Sequence, residues 1–346
     1  MQLDLTTKTV FAEFQEAVLT RFAFSRELDA SHTYVKKRIK GEEYWYTQKY
    51  VDGKAAQKYF GPRNKANDSL VMKQRQKRRS QQAHVKKILQ QELRLAAMLK
   101  KAGLPSLDPS ITKLMQELSS SGLIAEFGIL VGSLAFSAYS GVLGTLFNRV
   151  ALKTNDIDIV NDTNVKVAVD KIVDIRVILK NSGIDFHEVP GFSKNTLPTF
   201  FSGKGGLRLD LLTPDVGKAG NKIFKGIKGA AAQALPYLDF LIKEPIQTVL
   251  ICPKGGIPVK VPHPVRFAIH KMVTSRLRPA VETNKKEKDL LQAGLLIPVL
   301  VDVHPYEFKK IWKEANQYSK KLAKYLKDSL KLLSNENQEI LLKHSS

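Results

Sequence analysis

Residues 155–160 read Asn-Asp-Ile-Asp-Ile-Val, and this alternation of acid and isoleucine restricts the chain more than any other stretch. Successive side chains of a β-strand point to opposite faces. A strand here therefore sends Ile157 and Ile159 into a core and projects Asp156 and Asp158 together from the other face. Two carboxylates held side by side raise each other's pKa unless a positive charge sits between them. A divalent metal is the usual remedy, and Mg²⁺ takes one or two carboxylates plus substrate phosphates. Such a pair points to metal-dependent phosphoryl or nucleotidyl transfer.

The preceding segment, Phe127 to Asn148, carries no charge and is long enough to span a bilayer. Glycines 128, 132, 141 and 144, with Ser133, Ser137, Ser140 and Thr145, punctuate it. That punctuation predicts a strand, a Gly132-Ser133 turn and a short helix, and no membrane span.

Composition adds a strong electrostatic constraint. The 346 residues hold 55 Lys+Arg against 33 Asp+Glu, a formal charge of +22. Such a surplus favours polyanions, either nucleic acid or an anionic membrane surface, and nucleic acid is the expected partner. The single cysteine, Cys252, excludes an intramolecular disulfide and a cysteine-based zinc site, and its apolar setting TVLICP reads as core. The N-terminus lacks the basic and apolar regions of a signal peptide, so a cytoplasmic protein is expected.

Val10, Phe11, Phe14, Val18, Leu19 and Phe22 fit helical spacing within an N-terminal unit, residues 1–33. Residues 34–62 change period: Tyr44-Trp45-Tyr46 precedes an Asp52-Gly53 turn, and Gly61-Pro62 closes a small antiparallel sheet. Its tyrosines (Tyr44, Tyr46, Tyr50, Tyr59) and Trp45 either stack bases beside cations or form the mini-core of a sheet too small to have another. Residues 63–105 hold a long basic helix, with twelve Lys/Arg against two acids over 63–101. That run is a solvated face or a phosphate-contacting one.

Residues 106–215 read as a mixed α/β unit: a helix over 107–121, strands at 127–131 and 155–160, a helix over 164–181, and short strands near Phe186 and at 199–201. The stretch Leu207–Leu212, LRLDLL, is a further strand. A lone acid among leucines, Asp210, is costly unless paired or metal-bound, so it joins Asp156 and Asp158. Residues 216–346 read as a mainly helical unit, with breaks expected at Pro279, Pro298 and Pro305 and one lysine-rich final helix over 307–343.

The order Gly132-Ser133, Asp156-Ile157-Asp158, Asp210 resembles the nucleotidyltransferase superfamily that includes DNA polymerase beta and the tRNA CCA-adding enzymes. The blocks GEEYWYTQKY, QKYFGP, LVGSLAFSAYSGVLG, TNDIDIV, LRLDLLTP, VPHPVRFAIHKMVTSRLRP and KKEKDLLQA are similar to a bacterial family of nucleotidyltransferase-fold proteins with an aromatic hairpin before the core. Similar His-Lys and Lys/Arg-Asp segments occur in nucleotidyltransferase-like toxins of abortive-infection systems. The segment GVLGTLFNRVALK is a variable region in that family.

The resemblance implies an α/β (α+β) fold with a polymerase beta-like core and a mixed sheet, followed by helices. It implies attack of an acceptor hydroxyl on the α-phosphate of an NTP. Asp156, Asp158 and Asp210 would hold two Mg²⁺ ions, and Gly132, Ser133 and Lys271 would bind the nucleotide. His270 is expected to be packed, Lys288-Asp289 to support the site through an interhelix ion pair, and Arg276 and Arg278 stay unassigned. The acceptor is expected on RNA, with tRNA the first candidate, or on protein. A role in a toxin–antitoxin or defence pair would add an antitoxin or operon partner. The competing reading is a non-catalytic nucleic-acid-binding protein that uses the transferase fold as scaffold.

Overall fold

Asp156–Asn161 forms the acidic strand, flanked by Gly128–Val131 on one edge (antiparallel) and Arg208–Pro214 on the other (parallel). This is a computed structural model describing residues 1–51, 54–152, 154–161, 172–188, 197–215, 217, 222–224 and 226–344. Ala231–Leu235 pairs parallel with the distal half of Arg208–Pro214, and Phe200–Gly203 pairs antiparallel with its proximal half. The mixed α/β expectation holds, and the sheet also draws strands from beyond residue 215. Ile157 and Ile159 are fully buried beside Ile129, Leu130, Leu209 and Leu211, as the alternation requires.

Phe127–Asn148 is no membrane span. The strand Gly128–Val131 turns at Gly132 directly into the helix Gly132–Val142. Among the described residues no helix is long and apolar enough to cross a membrane. The expected 164–181 helix is corrected in its described part: Val173–Asp174 is a short strand paired with Ile227–Lys228, Asp174 caps the helix Ile175–Asn181, and 162–171 lie outside the described residues. The Asp52-Gly53 turn, the Tyr50 side chain and the loop over 189–196 lie outside them too.

Pro264–Leu277 is buried along nearly its whole length and joins the sheet to the C-terminal helices. Arg266, inside it and fully buried, donates to Glu314 (2.8 Å) and Glu244 (3.1 Å). Two helix expectations need correction. Pro298 does not break the chain but lies within the helix Thr283–Val303. Core burial of Ala293, Leu296 and Ile297 on one side and Leu300 on the other outweighs the missing N–H. The single helix over 307–343 is instead Pro305–Tyr318, Lys320–Leu330 and Asn335–His344. Ser319 has extended backbone, and its hydroxyl accepts from Leu322 N–H, so it starts a new helix rather than continuing the old one.

At the other end, Leu5–Ala30 packs along the 37-residue helix Lys65–Lys101. Both meet the hairpin formed by Ile246–Cys252 and Gly255–Val261. The clasp is Glu92, fully buried, which accepts from Arg21 Nε (2.5 Å) and from the Gly256 N–H (2.6 Å). Gly255 has φ +105°, and a Cβ there would collide with the Glu92 carboxylate.

Thr33–Ile39, Glu42–Val51 and Lys54–Pro62 form a three-stranded antiparallel sheet on the first turns of the long helix. Its aromatics divide by face. Trp45 is buried against the helix, donates to Asp68 (2.6 Å) and lies under Lys36 and Arg75. Tyr44, Tyr46 and Tyr59 lie on the opposite face, so the mini-core reading applies to Trp45 and not to them.

Glu92→Ala strips Arg21 of its counterion and leaves the Gly256 N–H unpaired. The expected loss is about 3–5 kcal/mol by chemical denaturation. Glu92→Gln, which keeps an acceptor, should recover part of it. An unchanged unfolding midpoint in Glu92→Ala would refute the clasp.

Candidate active site

Parallel register sets Asp158 directly opposite Asp210, and Asp156 opposite Arg208. On the other edge Asp158 faces Val131, one residue before Gly132. Three of the expected acids, the glycine turn and Ser133 therefore line one cavity of about 570 Å³, together with Lys271. That volume lies within the range of small-molecule sites. Leu212, Leu235, Leu238, Leu241 and Leu277 add an apolar part to its lining. A second hollow, of about 610 Å³, lies across the Gly132–Val142 helix. It is walled mainly by apolar groups, and its Asp108 carboxylate is engaged in capping Ser110. The chemistry gathers in the first.

The carboxyl of Asp158 is pushed up to about 7, chiefly by burial and then by Asp210 and Asp156, against relief from Lys271 and Arg208. Gly132 makes room for it. Its φ of +67° is a left-handed conformation that favours glycine, and a Cβ there would strike Asp158 Oδ2.

Arg208 is the functional residue the sequence reading missed. Its Nε and Nη2 donate to the two oxygens of Asp210 (2.6 and 2.8 Å), and its guanidinium lies 4.1 Å from the Phe200 ring centre. The signal was present: positions i and i+2 of a strand share a face, so Arg208 had to accompany Asp210. Asp210 thus sits beside Asp158 as expected, with both oxygens on Arg208.

Cations come from the helices. Lys271 Nζ donates to Asp289 Oδ1 (2.6 Å), and Arg278 Nε to Asp289 Oδ2 (2.6 Å). Asp289 supplies the expected interhelix ion pair. Lys288 lines the cavity, its pKa lowered by burial and by Lys271. Arg278 lines the cavity, whereas Arg276 points to solvent. His270 is packed, as expected, with Nε2 unpaired and a pKa lowered to about 3 by burial and Lys271. Gln292, fully buried, donates to Ser133 Oγ (3.2 Å) and to the Ala151 carbonyl (2.8 Å). That bond fixes the first turn of the helix to the segment leading into the acidic strand.

The donor set suits Mg²⁺. Among the described residues no three His, Cys, Asp or Glu side chains form a ready cage. Asp156 and Asp158 would offer two hard oxygen ligands beside the cradle at Gly132, with the remaining positions open to phosphate and water. In the absence of metal, the folded chain keeps the Asp158 proton to about pH 7. The unfolded chain releases it near 3.8, so stability falls as pH rises through that window and stays lower above it. In EDTA at pH 8, Asp158→Asn is expected to gain on the order of 1–2 kcal/mol in folding stability. Scanning fluorimetry should show Mg²⁺ raising the melting temperature of the natural chain and not that of the variant. A variant less stable than its parent in EDTA would refute the repulsion.

A nucleotidyltransferase family model matches residues 110–317, a span that contains every carboxylate and cation of this cavity. Neither curated proteins nor solved structures gave a match. The chain belongs to that nucleotidyltransferase family.

Proposed function

We propose that this protein is a Mg²⁺-dependent nucleotidyltransferase that moves an NMP from an NTP to an acceptor hydroxyl, releasing pyrophosphate. The observation that carries the reading is the Asp158 carboxyl, crowded by two other acids beside a glycine turn at the mouth of a helix. Asp156 and Asp158 would hold the metal, with Asp210 joining them for a second ion. Bound there, Mg²⁺ would neutralise triphosphate charge and align the attacking and leaving oxygens.

The chain's own groups do the rest by position. Exposed amides at Gly132 and Ser133 suit the β- and γ-phosphates. Gln292 holds the Ser133 hydroxyl in place for them. Lys271, Arg278 and Lys288 line the wall where triphosphate charge would lie, and Asp289 anchors the first two so that they do not collapse onto Asp158. The leucine wall suits the nucleobase. Arg208 positions Asp210 and keeps it oriented toward the acidic strand. The formal charge of +22 favours a nucleic-acid acceptor, with RNA the first to test.

Purified protein with Mg²⁺ and α-labelled NTPs should transfer label to RNA, read on a denaturing gel. Asp158→Ala should lower the rate by ~100-fold or more. Lys271→Ala should mainly raise KM for NTP. Full transfer by Asp158→Ala, or no transfer from any NTP to any RNA or protein acceptor, would sink the proposal.

A further inference from the structure

The three-stranded N-terminal sheet presents a face that the catalytic site leaves unexplained. Tyr59 is 53% exposed, and Tyr44 and Tyr46 pack against it with ring centres 5.9 and 5.7 Å away. Lys37 Nζ lies 4.7 Å over the Tyr46 ring. The sheet packs by its other face on the long helix, through Trp45 and Asp68. No core lies beneath these tyrosines, and their clustering does not serve the fold as Trp45 does.

Charge says what would cover them. Residues 33–79 hold 14 Lys/Arg against 4 acids, so ten of the chain's 22 net positive charges fall in this stretch. Arg75 and Arg78 are engaged with backbone carbonyls of Tyr34 and Leu28. Lys73, Lys77 and Arg79 remain exposed along the adjoining helix. An apolar segment would meet these cations poorly, and an acidic one would pair with them but leave the rings nothing flat to stack on. The exposed Tyr59 ring, the half-buried Tyr44 and Tyr46 rings and Lys37 over Tyr46 match a chain that alternates flat π-systems with phosphates.

We infer that the Tyr44–Tyr46–Tyr59 face is a binding platform for single-stranded nucleic acid, with unpaired bases on the rings and a backbone phosphate on Lys37. A duplex would not suit it, because its bases are already stacked on one another. From Asp68, which holds Trp45, to Glu92, which grips the core hairpin, the helix runs 24 residues, or ~36 Å, so the platform lies well away from that hairpin. The site stands apart from the proposed transfer reaction, and neither depends on the other.

The test is fluorescence anisotropy of the full chain with end-labelled twelve-nucleotide oligouridine, oligothymidine and a duplex of equal length, over a salt series. Single strands of either sugar should bind, and more tightly than duplex. Tyr46→Ala with Tyr59→Ala should weaken binding about tenfold or more with the salt slope kept, while the matching Tyr→Phe pair stays within about twofold. Lys37→Ala should reduce the salt slope by about one. Circular dichroism and Trp45 fluorescence report whether the sheet survives; should the alanine pair unfold it, the Lys37 slope and the preference for single strands decide. Absence of binding at low salt, equal affinity for duplex, or folded alanine variants that bind like the parent would overturn the inference. Transfer activity with binding lost from the natural chain would overturn it and leave the catalytic reading standing.

Discussion

The parallel register between Asp156–Asn161 and Arg208–Pro214 governs everything else in this molecule. Pairing Asp158 with Asp210 puts three acids on one face of two adjacent strands while their isoleucines and leucines fill the core below. A slip of one residue would turn every acid inward and every leucine outward. The buried side of the sheet is therefore what fixes the exposed side, and the hydrophobic core specifies where the charges stand.

Those charges are arranged so that repulsion is left partly unrelieved. Arg208 answers Asp210 by a two-pronged contact, and Asp289 holds Lys271 and Arg278. Asp158, beside Asp156 and Asp210, keeps a carboxyl pushed up to about 7, chiefly by burial. The proposed metal site requires this, since full internal neutralisation would leave nothing to attract a cation. The three acids and Arg208 ride on the sheet, and Lys271, Arg278 and Lys288 come from later helical segments, so the site exists only once both layers have packed.

The legible part of this arrangement was the part written in local period. Asp156, Asp158 and Asp210 stood out because each interrupts an apolar strand, and Gly132-Ser133 because it interrupts an apolar run. Arg208 followed the same rule and was overlooked, since an arginine at a strand end looks like ordinary surface. Gln292 gave no local signal, and Asp289 was expected only through the family resemblance; their roles depend on which helices meet, which no period in the sequence records. Pro298 misled for the opposite reason: a strong local rule was overridden by burial on both sides. In the N-terminal sheet, alternation could have separated Trp45 from Tyr44 and Tyr46, but not which face the helix would cover.

The long helix carries a consequence for how this chain can change over generations. Gripped at Glu92 and crowned by a sheet at Asp68, it behaves as a graduated shaft. Each residue inserted between those points lifts the sheet by ~1.5 Å and rotates it by ~100°. Two extra residues would swing the tyrosines to the far side, whereas insertions of about seven or eleven would preserve their heading. The length of that stretch is held as firmly as Val71, Ile88, Arg75 and Arg78, which pack or pair within it.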